Sequence, residues 1–516
     1  MFMTPTNKNE INQIINKLNK NKATGPDNIH IKNIKLLQTT ISPVLSHITN
    51  TCFIEGDYPT QLKLAKVIPI HKKNETTNPS NYRPISLLSC LNKIIEKVIC
   101  SRLTDFLNKQ NIFYPYQFGF RANHSTELSL IETIDTIRSN TDQNYYTGGV
   151  FIDLTKAFDL VDHPILLHKM DHYGIRGLAN KLFEKYLKNR MQFVQIGRCR
   201  SKTTEIACGV PQGSVLGPIL FLLYINDLPN STESQIRLFA DDTNLFIKEK
   251  DPYKLKYKIE KEFYRIEKWF TDNRLKINAE KTQFIIFCRK NKYIPDELNM
   301  LTLNDTTIYR SSQVKYLGLI VDEKLNWHQH INELEKTLVK TVKAFRLIKN
   351  WLPKKLKLQI YYAYIHSKIK YGITLYGTAC KAFLNKIQVL QNRTIKILFN
   401  LDHYTPTKYL LKCSKLLSVK DLYQLTIAQF VHRNMVETLP TLFKDYFQTS
   451  IHSERTTRQT HLLKSYRVYT EQAKNSVRYT GTNIWNELTL HTKIDLKNVS
   501  TFQFKNIVKD ILINRY

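Results

Sequence analysis

Two apolar runs in this chain end in aspartates, and that pairing limits the possible folds more than any other feature. Phe239-Ala240-Asp241-Asp242 places adjacent carboxylates between the apolar runs Ile236 to Ala240 and Leu245 to Ile247, the pattern of a hairpin with an acidic tip. Upstream, Val150-Phe151-Ile152-Asp153 reads as a second apolar strand ending in an aspartate. One acidic strand end is ordinarily a solvated turn. Two such ends side by side form an oxygen-donor site suited to a divalent metal. Adjacent strand residues point to opposite faces, so Asp242 joins Asp153 and Asp241 only if the turn rotates it inward.

The charge balance points to a polyanionic partner. Lys and Arg number 76 against 44 Asp and Glu, a formal charge of +32 on 516 residues, and nucleic acid is the default partner of so basic a chain. No apolar run approaches the roughly 20 residues needed to span a bilayer, and no signal-peptide core follows Phe2. The sequence therefore predicts an intracellular protein of the nucleus, the cytoplasm or both, not secreted and not membrane-bound. Eight cysteines include no C-x-x-C pair, so neither a zinc knuckle nor a disulfide framework is indicated. His328 and His330 lack further close ligands and read as non-ligands.

The periodicities alternate between helix and strand. Ile11, Ile14, Ile15 and Leu18 recur at helical spacing before a Gly25-Pro26 turn, and Ile85 to Leu107 returns to that spacing. Strands are predicted at Lys66 to Lys72, Gln192 to Ile196, Thr203 to Ala207, Thr282 to Phe287 and Lys315 to Val321, and an apolar helix at Leu216 to Ile225. Leu255, Ile259, Phe263, Ile266 and Phe270 mark one face of a long helix. Elements interleave without a strict βαβ period, which gives an α+β fold instead of a doubly wound sheet. A mostly helical region opens at Ile331.

In order along the chain stand Lys66-Val67-Ile68-Pro69, Asn81-Tyr82-Arg83-Pro84-Ile85-Ser86, Gln117-Phe118-Gly119-Phe120-Arg121, Phe151-Ile152-Asp153 through Phe158-Asp159, Gly209-Val210-Pro211-Gln212-Gly213-Ser214, Phe239-Ala240-Asp241-Asp242 and Tyr316-Leu317-Gly318. This succession resembles the blocks of a non-LTR retrotransposon reverse transcriptase of the jockey-like long interspersed element kind. The resemblance implies a right-hand polymerase of fingers, palm and thumb with a mostly helical C-terminal region. Residues 1–50 would be an N-terminal helical segment, 51–325 the fingers and palm, 326–420 a helical thumb and 421–516 an accessory region. The implied activity is RNA-directed DNA synthesis from dNTPs on an RNA template, extending a DNA primer or nicked target DNA, with two Mg²⁺ ions or Mn²⁺ in their place.

The same resemblance assigns roles residue by residue. Asp153 and Asp241 are the expected bridging metal ligands, with Asp242 third, and Lys281 stands where such polymerases carry a general acid. Lys66, Lys72, Lys73 and Arg83 match basic residues that grip the triphosphate, although a lysine in so basic a chain is also ordinary solvated surface. Phe158 matches the side chain that excludes a ribose 2′ hydroxyl; a core role is the competing reading. Gln212, in a loop where Gly209 and Gly213 allow close backbone approach, would touch nucleotide or template, or else only tighten the loop. Tyr316, Leu317 and Gly318 resemble a primer grip, and strand packing is the alternative. Lys340, Lys343, Arg346, Lys354, Lys355 and Lys357 would line a duplex, while Trp351, Tyr361, Tyr362 and Tyr364 read as core.

Members of this family usually carry an endonuclease ahead of the polymerase, and the short stretch before the first block cannot hold one. The expectation is a truncated element or nicking supplied elsewhere. No ribonuclease H or protease pattern follows, and the tail, with His452-Ser453-Glu454-Arg455 and the segment around Trp485, is expected to bind nucleic acid or brace the thumb. Two other readings stay open: a group II intron or retron-type enzyme, and an inactive remnant that binds RNA. The oligomeric state is not legible.

Overall fold

The computed structural model describes residues 1–516 apart from residues 73, 304–305, 403, 450–461 and 493–495 and the side chains of residues 303, 306 and 354. Lys73 and His452 to Arg455 thus lie outside the described residues. Nine strands in two sheets carry the region of interest: β1 (Leu64–His71), β2 (Tyr82–Leu87), β3 (Tyr146–Ile152), β4 (Arg190–Ile196), β5 (Cys199–Arg200), β6 (Thr204–Ile206), β7 (Gln235–Phe239), β8 (Asp242–Glu249) and β9 (Gln283–Phe287). The fold is mixed and helix-rich. One sheet runs β2-β1-β4-β5 with β6 on β4, and the other runs β7-β8-β3-β9, antiparallel throughout.

Burial of β3 on both faces explains why it reads as an apolar run and not as an alternation. All seven of its residues are buried. Val150 and Ile152 join Leu245, Ile247, Phe284 and Ile286 in one core, while Phe151 joins Phe246, Ile285 and Phe287 in a second core on the opposite face. The period of two along each strand sorts these side chains. The first core is closed by the helix Pro252–Asp272, whose Leu255, Ile259, Phe263, Ile266 and Phe270 are buried as their spacing predicts. Asp251 caps it by accepting from the amides of Tyr253 and Lys254, and Pro252 opens its first turn. Close approach needs Gly148, since a Cβ there would stand 2.4 Å from Ile259 Cδ1.

The second core is larger in sequence span. It takes in the helix Thr126–Asp142, the helix His328–Ile348 and the helices Val419–Met435, Val477–His491 and Thr501–Ile513. The boundary expected at 420/421 falls inside this one continuous core. Trp485 is part of it, and Asp135 accepts from the amides of Val477 and Arg478 at 3.0 Å each, tying the C-terminal helices to the back of the carboxylate sheet. The strand predicted over Lys315 to Val321 is instead a hairpin, Gln313–Tyr316 paired with Leu319–Asp322. Leu317 and Gly318 have φ of 43° and 85° at its tip, the left-handed pair that a two-residue turn requires. Among the described residues no helix is long and apolar enough to cross a membrane, and all eight cysteines are free.

A buried carboxylate ties the helix Cys90–Lys109 to the helix Leu178–Leu187 and to the loop that precedes the helix Gly217–Ile225. Glu96, fully buried on the helix Cys90–Lys109, accepts from Asn92 Nδ2 at 2.9 Å, Tyr186 Oη at 2.7 Å and the Val215 amide at 2.7 Å. Burial raises its pKa, and the three donors offset that cost. Glu96→Ala strands these buried donors and is expected to lower unfolding free energy by about 3 kcal/mol, with a smaller loss for Glu96→Gln. Urea unfolding of the three proteins checks this.

Candidate active site

The hairpin of β7 and β8 reverses in two residues. Phe239 pairs with Asp242, so Ala240 and Asp241 form the turn and Asp242 opens β8. Ala240 takes φ 56°, a left-handed conformation uncommon for a residue with a side chain. A neighbouring segment holds it there. Gln117 Oε1 accepts from the Ala240 amide at 3.1 Å and from the Gly119 amide at 2.8 Å, while the Phe118 amide donates to Leu238 O at 2.8 Å. The block Gln117 to Arg121 thus acts as a clamp on the acidic turn. Its sequence signal, a Gly between two aromatics, gave no hint of that role.

Asp153 follows the last β3–β8 pair, Ile152 with Thr243, and so lies level with Asp242. Its loop is stitched down by the Asn278 amide donating to Asp153 O at 2.8 Å and by the Thr155 amide donating to Lys276 O at 2.9 Å. The same stitching sets Lys281, whose Nζ stands 3.1 Å from Asp153 Oδ2. Lys281 is therefore the direct counter-ion of the site.

The three carboxylates share one field. Asp241 is shifted above the ordinary carboxylate range, chiefly by burial and further by the charge of Asp153, while its own backbone amide and then Lys72 and Arg83 pull the other way. Asp242 is pushed up to about 6 by the protein packed around it and by the charges of Asp241 and Asp153, although its tip is exposed. Among the described residues no three His, Cys, Asp or Glu side chains are gathered tightly enough to be preformed metal ligands. The donor chemistry nevertheless fits a hard cation: three mutually repelling carboxylates at one strand end, with oxygen as the only donor type.

The basic residues divide. Lys72 and Arg83 act on Asp241, so the tip of the first sheet faces the carboxylates. Lys66 does not join them. It lies six residues back along β1, about 20 Å at strand spacing, opposite Leu87 and beside the Gln212 loop, where Gln212 O accepts from the Ser86 amide at 2.7 Å. Lys73 lies outside the described residues.

Phe158 and Gln212 meet in a second cluster around Asp159. Gln212 Nε2 donates to Asp159 Oδ1 at 2.9 Å, and the Val210 amide donates to Phe158 O at 2.9 Å. Gly209 has φ 87°, and a Cβ there would lie 2.6 Å from Asp159 O, so only glycine lets the two loops close. Phe158 is half-buried, stacked on Phe221 at 4.5 Å and edge-on to Phe120 at 6.2 Å. Its ring packs on the first core with one part left open to solvent. Asp159 closes the block that begins at Phe151, and no local sequence pattern marks its bond to Gln212.

Tyr316 is corrected by its surroundings. Its ring is buried against Phe151 at 5.3 Å and its hydroxyl meets Ser129 Oγ at 3.0 Å, so its side chain faces the core and cannot grip a ligand. Leu317 is half-buried and its carbonyl accepts from Tyr371 Oη; Gly318 is exposed, and these two form the accessible part of that hairpin. In the helical region Lys340, Lys343, Arg346 and Lys355 are exposed, whereas Lys357 is buried. Of the aromatics read as core, Tyr361 is buried, but Trp351, Tyr362 and Tyr364 are exposed. His328 stacks on Phe383 at 4.0 Å and burial lowers His330 to about 4, which leaves both as packing residues.

Residues 70–321, which include all three carboxylates, Lys281 and Arg83, match the family described as reverse transcriptase (RNA-dependent DNA polymerase). Over 444 residues the chain is 30% identical to the RNA-directed DNA polymerase from mobile element jockey of Drosophila melanogaster, covering 82% of this chain and 47% of that protein. It is 29% identical over 430 residues to the probable RNA-directed DNA polymerase from transposon X-element of the same fly, covering 82% and 47%. The corresponding protein of transposon BS, also from Drosophila melanogaster, is 29% identical over 418 residues, covering 78% and 45%. The chain spans about half the length of these curated relatives.

Two outcomes follow from the site's geometry. A Cβ at Gly119 would stand 2.2 Å from the Ala240 amide nitrogen, so Gly119→Ala must shift the acidic turn. Any activity that depends on Asp241 is expected to fall by about a hundredfold with an unchanged circular dichroism spectrum. Asp242 carries a carboxyl raised from 3.8 to about 6, so its cost to the fold grows as pH rises through that interval and is complete at neutral pH. Asp242→Asn is therefore expected to melt at higher temperature than wild type in metal-free neutral buffer, by the equivalent of about 1 kcal/mol after solvent screening, and to lose that advantage near pH 4. Thermal melts at the two pH values read it directly.

Proposed function

We propose that this chain, which carries a reverse transcriptase domain of the non-LTR retrotransposon kind, is an RNA-directed DNA polymerase that serves target-primed reverse transcription. The observation that carries the reading is Asp153 level with Asp242 on paired strands beside the Asp241 turn, with Lys281 Nζ 3.1 Å from Asp153 Oδ2 and the charges of Lys72 and Arg83 acting on Asp241. The β7-β8-β3-β9 sheet is the palm in this reading. The β1–β2 sheet belongs to the fingers, and the helices from His328 form the thumb.

Asp153 and Asp241 would hold the divalent cations, Mg²⁺ or Mn²⁺, with Asp242 adding charge behind them. Two such ions, when bound, stabilise the attacking and leaving oxygens of an in-line phosphoryl transfer. The reaction forms a bond from a primer 3′ oxygen to the α-phosphorus of a dNTP and breaks the bond to pyrophosphate. Lys72 and Arg83 are placed to bind the triphosphate, Arg83 through paired N–H donors and Lys72 as a point charge. Lys281 sits at the rim of the carboxylates with an ammonium proton to give to the departing pyrophosphate oxygen. In this reading the Phe158 ring, stacked on Phe221, would meet an added ribose hydroxyl, and Gln212, which donates to Asp159, would touch the nucleotide or template. The exposed cations Lys340, Lys343 and Arg346 with Trp351 and Tyr364 would lie along the template–primer duplex.

Extension of a DNA primer on an RNA template with dNTPs tests the reading. Wild type is expected to extend and Asp241→Asn to lose about a thousandfold in rate, the equivalent of about 4 kcal/mol of transition-state stabilisation. RNA binding without extension in both proteins would leave only an inactive RNA-binding remnant. Phe158→Val is expected to raise rNTP incorporation about tenfold or more while dNTP extension persists, read from the ratio of the two rates.

A further inference from the structure

The helix Pro252–Asp272 exposes large aromatic rings in a pattern that its packing does not explain. Tyr253, Tyr257 and Tyr264 are 59%, 67% and 57% exposed. At about 100° per residue the three fall within about 40° of one another, so they form a single stripe on the side away from Leu255, Ile259 and Phe263. Lys254, Lys261 and Lys268 are exposed next to that stripe and form no ion pair among the described residues. Tyr145 continues the pattern on the adjoining loop, with Lys248 and Lys250 at 5.3 and 5.4 Å from its ring centre.

Between this stripe and the ends of β7 and β8 runs a groove of about 800 Å³, lined by Arg237, Lys248, Lys254, Tyr257, Lys258 and Lys261. Arg237 is 1% exposed; its Nε and Nη2 are paired with Glu132, while its Nη1 has no hydrogen-bond partner among the described residues, so the free charge of the groove comes from Lys248, Lys254 and Lys261. The acids of the groove are already engaged: Glu249 with Lys258 at 2.5 Å, and Glu233 and Glu262 with Arg265 at 3.0 and 2.9 Å. The groove is therefore cationic. It lies at the Lys248 end of β8, six residues or about 20 Å from Asp242, and is separate from the carboxylate site.

We infer that this face binds single-stranded RNA, with bases stacked on Tyr253, Tyr257 and Tyr264 and phosphates along the lysines of the groove. Stacking needs open base faces, which a duplex hides and a single strand offers, and ring-plus-lysine tracks are how proteins hold unpaired strands without reading sequence. RNA is the occupant because, on the polymerase reading on which this inference rests, the strand always present unpaired is template not yet copied.

The test uses the full chain on a primer–template duplex that either ends flush or carries an unpaired RNA template arm of about 20 nucleotides. Affinity is measured by fluorescence anisotropy, and 4-thiouridine in the arm is crosslinked and mapped. The arm is expected to tighten wild-type binding about tenfold or more, with crosslinks on Pro252–Asp272. That gain should vanish both in a Tyr253→Ala, Tyr257→Ala, Tyr264→Ala variant and in Lys254→Glu with Lys261→Glu, while incorporation on a template whose unpaired arm is a single base, too short to reach this face, stays at the wild-type rate. A gain that survives in both variants, or crosslinks confined to other elements, overturns the inference. A DNA arm that tightens binding more than RNA overturns RNA as the occupant. Binding is read without synthesis, so repeating it with Asp241→Asn separates failure of this surface from failure of the polymerase reading.

Discussion

Repulsion among Asp153, Asp241 and Asp242 is the interaction around which the rest of this structure is arranged. Asp242 is carried to about 6 first by the protein packed around it and then by the charges of Asp241 and Asp153 at the same end of the sheet. Such a site costs the fold stability and persists only where the surroundings over-determine it. Here Lys281 sits on Asp153, Lys72 and Arg83 offset Asp241 from the facing sheet, and Gln117 holds the turn at Ala240. Each of these contacts joins residues far apart in sequence.

Rigidity behind the carboxylates comes from the double burial of β3. With one core on each face, neither Asp153 nor the β8 strand beside it can shift without disturbing packed side chains on both sides. The loop at Gly209 to Ser214 is fixed in a different way. It is closed onto Asp159 through a glycine contact, bonded to β2 through Gln212 O, and anchored just beyond by Glu96 at the Val215 amide. On the proposed polymerase reading, the carboxylate end and the Gln212 loop must be held at fixed spacing, because misplacement of about 1 Å can cost a hundredfold in rate.

Much of this was legible in the sequence, for physical reasons that can be named. The apolar runs ending at Asp153 and Ala240 marked strands because burial on both faces requires continuous apolar residues, and the helix over Leu255 to Phe270 was plain from its spacing. The ordered blocks pointed to the polymerase family, which the matches to jockey, X-element and BS proteins bear out. What was not legible depended on turns and on distant partners. Lys315 to Val321 alternates like one strand, yet the left-handed pair Leu317-Gly318 folds it into a hairpin and turns Tyr316 into the core. Lys66 shares a strand with the approach to Lys72, but strand length separates them. Trp351 and Tyr364 have core composition and an exposed position, and Gln117 and Glu96 act through contacts that no local pattern encodes.

Manganese titration followed by electron paramagnetic resonance tests the central claim, that Asp153 and Asp241 form one cation site. Wild-type protein is predicted to bind the ion near neutral pH, and Asp153→Asn and Asp241→Asn are each predicted to weaken binding by about tenfold or more. Unchanged binding in both variants would contradict the account.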